Sequence, residues 1–170
     1  MDFVIVALLI LILTGVGGYL FKTNADLTGS FLRTFDLAED PLSTEGFVPV
    51  TVKLVGSDLS FIYNCKAVSA SITAERAYAL HLSVQKRVLV RPTTYDLLED
   101  LIREFDLKPK MVKIYRNNDG IYVADLIIEN GKKMVKIDTG PSDALAIAFR
   151  MNIPAYAEAK AFEEDGKKIC

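Results

Sequence analysis

The chain has 170 residues, two cysteines, one histidine and a formal charge of −2, which is room for one domain of ordinary size with something left over. So few cysteines, with no CxxC pair, exclude a disulfide framework and a cysteine-rich zinc site, and the single histidine excludes a His-rich metal site. The charge names no partner, and a reducing compartment is the simpler inference.

About half of the residues are apolar (51%), and the excess lies at the front. Residues 3–21, FVIVALLILILTGVGGYLF, carry no charge and are bounded by Asp2 and Lys22. As a helix this segment is about 28 Å long, close to the hydrocarbon thickness of a bilayer. The alternative is a cleaved signal peptide, for which Gly15, Gly17 and Gly18 supply small residues. Against it, the segment is longer than a signal core and is preceded by Asp2 rather than a basic residue. Residues 1–22 are therefore read as a transmembrane anchor. Lys22, the one basic side chain at either end, favours a cytoplasmic domain. Residues 23–46 mix Gly, Ser, Thr, Asn and Asp with Pro41 and read as a polar tether.

From residue 47 to 170 the pattern is that of a domain. Val48, Val50, Val52 and Leu54 alternate with Pro49, Thr51 and Lys53, the period of a half-buried strand. Gly56-Ser57-Asp58 turns the chain, and 59–64 returns as a second strand. A helix is expected from about 71 to 86, capped by Thr73 with Glu75 in its first turn. A second helix follows Arg91-Pro92. Thr93 and Asp96 have the spacing of a capping box, and Leu97, Leu98, Leu101, Ile102 and Phe105 form an apolar stripe.

Residues 111–138 read as an antiparallel meander. Asn130-Gly131 signals a two-residue hairpin, which pairs Leu126 with Val135 and Ala124 with Ile137 and sets Asp125 opposite Lys136. At Asn118-Asp119-Gly120, only a three-residue loop with Gly120 left-handed aligns Val112 and Ile114 with Leu126 and Ala124. Thr139-Gly140-Pro141-Ser142-Asp143 then opens a helix to Met151 that is apolar nearly all round, hence buried. Asn152 stops it, 153–157 returns as a strand, and a short polar helix carries the tail. The fold class is α+β: a mixed or antiparallel sheet with a three-stranded meander packed against helices, plus one N-terminal transmembrane helix.

Residues 59–166 resemble the bifunctional nuclease domain family. The resemblance rests on Glu75 at the start of the first helix, and on Arg91-Pro92-Thr93-Thr94-Tyr95-Asp96-Leu97 opening the second. It rests also on Ile137-Asp138-Thr139-Gly140-Pro141-Ser142-Asp143-Ala144 leading into the buried helix, and on Pro154 starting the last strand. The family pattern has histidine where Tyr95 stands and arginine where Gly140 stands. The resemblance implies metal-dependent hydrolysis of DNA or RNA phosphodiesters.

Without a cysteine or histidine cluster, the available tool for such chemistry is Mg²⁺ or Mn²⁺ held by carboxylates. The candidates are Glu75, Asp96, Asp138 and Asp143, each at or beside a helix start, with Glu75, Asp138 and Asp143 as the metal set. Arg91, Ser142 and the open backbone at Gly140 are candidates for holding substrate phosphate. The competing reading is that these carboxylates only cap helices. Lys108, Lys110, Lys113, Arg116, Lys132, Lys133 and Lys136, in or beside the meander, form either a phosphate-binding surface or a solvated sheet face. Two functions follow: a membrane-tethered nuclease, or a non-catalytic ligand- or protein-binding module that kept the fold and lost its polar centre.

Overall fold

The alternating run at 47–55 does not stay in one strand. In the computed structural model, which describes residues 40–131 and 133–170, it divides at Val50 into β1 (Phe47–Pro49) and β2 (Thr51–Val55), which enter different sheets. The Val50 amide donates to the Ala155 carbonyl at 3.1 Å, so the chain is held to one sheet as it crosses to the other. The apolar segment 3–21 and most of the expected tether lie outside the described residues. Among the described residues no helix is long and apolar enough to cross a membrane.

β2 is the edge of a four-stranded antiparallel sheet, continued by β3 (Asp58–Tyr63), β4 (Lys66–Ser71) and β9 (Lys167–Lys168). The expected turn at 56–57 joins β2 to β3, with Gly56 at a left-handed φ of 60°. β4 has no apolar alternation strong enough to predict it. It is defined by pairing with β3 through a two-residue turn at Asn64 and Cys65, both at positive φ. Cys65 is bonded to Cys170 in a disulfide that spans 105 residues and ties the chain end beside β4. The fold thus brings together two cysteines whose number and spacing carry no sign of pairing.

The five-stranded sheet has the order β1-β8-β5-β6-β7, with β5 Lys108–Arg116, β6 Tyr122–Glu129, β7 Met134–Thr139 and β8 Ala155–Glu158. Only β5 and β8 run parallel. The β5–β6 register is the expected one, with Val112 opposite Leu126, Ile114 opposite Ala124 and Gly120 at φ 77°. The β6–β7 register is two residues away from the expected one: Leu126 pairs with Ile137 and Ala124 with Thr139. The loop is four residues long, because Asn130 closes it with both its amide and its side chain on Lys133. A shift of two leaves every side chain on its face, since strand side chains alternate with period two. Lys136 therefore still reaches Asp125, at 2.5 Å, from a diagonal position rather than from directly opposite.

Helices α1 (Ala74–Val84), α2 (Thr94–Glu104) and α3 (Pro141–Met151) cover the inner faces, and α4 (Ala159–Glu164) precedes β9. α3 is buried as its composition requires, with Ala144 to Ala148 all at 4% exposure or less. It packs against α1, α2, β5 and β6. Val112, Ile114 and Leu126 lie beneath it in the core, with Val135 half-buried. α2 departs from its pattern. Of the expected stripe only Ile102 is buried, while Leu97, Leu98, Leu101 and Phe105 face outward. The inward positions are taken by Tyr95, Asp96, Glu99 and Ile102, because polar bonds to α3 set the helix's rotation.

Candidate functional site

Three helices begin near one another, and each start follows from local sequence. Thr73 caps α1 by accepting from the Arg76 amide at 3.4 Å. Thr93 and Asp96 form a complete capping box on α2. Gly140 is the N-cap of α3 with Pro141 following, and its carbonyl accepts from the Asp143 amide at 3.0 Å. The side chains just inside these starts meet at Asp143. The Tyr95 hydroxyl donates to Asp143 Oδ1 at 2.5 Å, and Arg76 Nη2 lies 3.7 Å from Oδ2. Burial, then the bond to Asp143 and its charge, push the Tyr95 hydroxyl well above the ordinary phenol range, with Glu75 adding to the rise. Tyr95 is thus a neutral donor at physiological pH, and the Asp143 carboxylate is the acceptor it orients.

Gly140 has an ordinary φ, so its backbone does not require glycine. What the missing side chain provides is space: a Cβ there would stand 3.1 Å from Asp143 Oδ2. Ser142 is buried in the first turn of α3, and Glu75 is exposed in the first turn of α1. Arg91 is exposed just ahead of α2 and makes no side-chain bond among the described residues.

The other candidates go elsewhere. Asp96 is nine-tenths buried and fully engaged: Oδ2 accepts from the Thr93 amide and hydroxyl, each at 2.6 Å, and Oδ1 from Arg150 Nη1 at 2.5 Å. Burial pushes its carboxyl up, but the Thr93 bonds and the Arg150 guanidinium together outweigh this and hold it below the usual range. Its geometry is that of a structural ion pair. Asp138 stands opposite Asp125 on β7, on the sheet face turned away from α3, so it does not converge with Asp143. Among the described residues no group of three or more His, Cys, Asp or Glu is placed to hold a metal ion. Glu75, Asp138 and Asp143 are therefore not assembled into one three-carboxylate site.

The basic residues of the meander are mostly engaged. Lys110 pairs with Glu129, Arg116 with Asp165 and Lys136 with Asp125, while Lys113 sits 5.3 Å above the Phe47 ring. Lys132 lies outside the described residues. Spacing alone does not single out Arg76, Glu99 or Arg150, although Arg76 and Ser83 on α1, like Asp143 and Arg150 on α3, are seven residues apart and so share a helix face.

The sequence model of the bifunctional nuclease domain matches residues 63–169, which contain all three helix starts. The chain belongs to this family. Curated relatives with detectable similarity include an uncharacterized protein of Mycobacterium tuberculosis, represented in strains CDC 1551 / Oshkosh and ATCC 25618 / H37Rv. It is 35% identical over 98 residues, which cover 58% of this chain and 58% of the relative. Bifunctional nuclease 1 of Arabidopsis thaliana is 26% identical over 84 residues, 48% of this chain and 26% of that protein. The chain thus spans less than two thirds of the length of these relatives. Within the bifunctional nuclease domain, the Tyr95–Asp143–Arg76 cluster occupies the segments that carry the family resemblance.

Proposed function

We propose that this bifunctional nuclease domain acts on nucleic-acid phosphodiesters at the junction of its three helix starts, with Asp143 as the central carboxylate. The observation that carries the reading is the convergence on Asp143 of Tyr95 from α2 and Arg76 from α1. Helix starts present free N–H groups and the positive ends of helix dipoles, which suit a phosphate, and Arg76 adds a full charge. Arg91, ahead of α2, is the second cation offered to a phosphate. Tyr95 fixes Asp143 Oδ1, while Oδ2, only loosely paired with Arg76 at 3.7 Å, would orient water at the phosphorus. A Mg²⁺ or Mn²⁺ carried by the substrate phosphate would be held by Asp143 and Glu75 and would supply charge stabilisation.

The second reading, a binding module without catalysis, is favoured by one feature. Tyr95 stands where the family pattern has histidine, and a phenol held neutral cannot serve as a base near pH 7. For location, we read the apolar segment at 3–21 as the membrane anchor. The Cys65–Cys170 bond favours a non-reducing side over the cytoplasmic side suggested by Lys22.

The test is incubation of the purified full chain with single- and double-stranded DNA and RNA, with Mg²⁺ or Mn²⁺ and then with chelator. Chelator-sensitive cleavage that disappears in Asp143→Asn supports the nuclease. Binding without cleavage, lost in Arg76→Ala, supports the binding module. Neither binding nor cleavage removes the nuclease reading and leaves a module for a ligand other than nucleic acid.

A further inference from the structure

We propose that the edge of β2, with the groove beside it, docks an extended peptide segment in which apolar residues alternate with an acidic one. β2 is an end strand of its sheet, and its hairpin with β3 closes through a two-residue turn at Val55 and Asp58. In such a hairpin the closing pair is hydrogen-bonded and bonded pairs alternate with unbonded ones. The pairs Leu54–Leu59 and Val52–Phe61 are therefore the unbonded ones. Their N–H and C=O groups on β2 point outward along the edge that no other strand takes among the described residues, in the direction an added strand would use.

The groove supplies the second half of the recognition. Three adjoining concavities of about 470, 170 and 310 Å³ run the length of β2. Leu54 and His81 line both the first and the second; Val52 and Phe149 line both the second and the third. Tyr78 and Val84 of α1 complete the apolar floor, both at least half exposed. A strand lying about 4.8 Å from β2 would drop every second side chain over α1 and raise the others to solvent. Backbone bonds give such a complex its affinity, and the alternate side chains give it selectivity.

Charge decides the occupant. Lys53 is the middle residue of β2 and is exposed on the outer face. A second copy pairing antiparallel through β2 in full register would set Lys53 against itself, which is unfavourable. A foreign strand with a carboxylate at that place gains a cross-strand ion pair.

The probe is a fluorescein-labelled heptapeptide, Val-Thr-Val-Glu-Val-Thr-Val, titrated with the full chain by fluorescence anisotropy. Saturable binding is expected, weakened about tenfold or more when alternate peptide amides are N-methylated, since each lost bond to the edge counts. Lys53→Glu, an exposed substitution that leaves the fold intact, is expected to reverse the preference towards the peptide with lysine in place of glutamate. Three results would overturn the proposal. One is equal binding of the N-methylated peptide. Another is no saturable binding up to about 1 mM. The last is peptide binding suppressed by a chain dimer seen in sedimentation, which would assign the edge to a second copy.

Discussion

The same three helices carry two polar clusters, and the clusters differ in every physical respect. At the helix starts, Arg76, Tyr95 and Asp143 meet in a half-exposed group whose ion pair is long, 3.7 Å, with Arg76 53% exposed. Two turns further along α1 and α3, Ser83 and Arg150 meet Asp96 and Glu99 of α2, with the Arg150 side chain 2% exposed. There the guanidinium bonds Ser83, Asp96 and Glu99, while its Nη2 has no partner among the described residues. The buried cluster fixes how α2 sits against α1 and α3. The exposed one uses that fixed placement to present a carboxylate and a cation to solvent. Tyr95 and Asp96 are adjacent in sequence and serve opposite ends of this division.

The contrast breaks most visibly at Arg150. Arg150→Met leaves Asp96 as a buried charge without its partner, and the expected loss is about 3–5 kcal/mol of stability, measured by urea unfolding. Asp143→Asn should do the reverse. Stability should change by less than about 1 kcal/mol, as for other solvent-accessible ion pairs. Phosphodiester cleavage, followed on labelled oligonucleotides, should fall by about a hundredfold or more. A large stability loss in Asp143→Asn would show that the helix-start cluster is structural too.

The pH dependence sharpens the comparison. The Asp96 carboxyl is held below its ordinary 3.8 in the folded chain, so its contribution is present above that value and drains away as pH falls through the folded one. Asp96→Asn should flatten the acid limb of stability against pH. Tyr95 is shifted the other way. Its contribution is complete below its ordinary value of 10.0 and is lost as pH rises beyond it. Tyr95→Phe should therefore flatten the alkaline limb, by less than Asp96→Asn flattens the acid one, because Tyr95 is only half-buried. The smallest structural change is the restoration of the family pattern. Tyr95→His with Gly140→Arg requires Asp143 Oδ2 to yield by a few tenths of an ångström. It should increase cleavage, with a new dependence near the histidine pKa of about 6.5; an unchanged rate would show that these two positions do not limit the reaction.

Much of this domain was legible in its residues. The capping box at Thr93 and Asp96, the three-residue loop at Gly120, the buried α3 and the family motifs all rest on local rules: cap chemistry, left-handed glycine and apolar period. Those rules act within a few residues, so the chain states them directly. What tertiary structure decided are matters of partnership. The run at 47–55 was shared between two sheets, Asn130 closed a longer loop, and α2 turned its leucines outward so that Asp96 and Glu99 could reach Arg150. Asp138 fell on the far face from Asp143, and Cys65 met Cys170 across 105 residues. Sequence spacing reports which face of its own element a residue occupies. Which element that face meets depends on the packing of the whole fold, and so does whether four carboxylates near helix starts become one site or several.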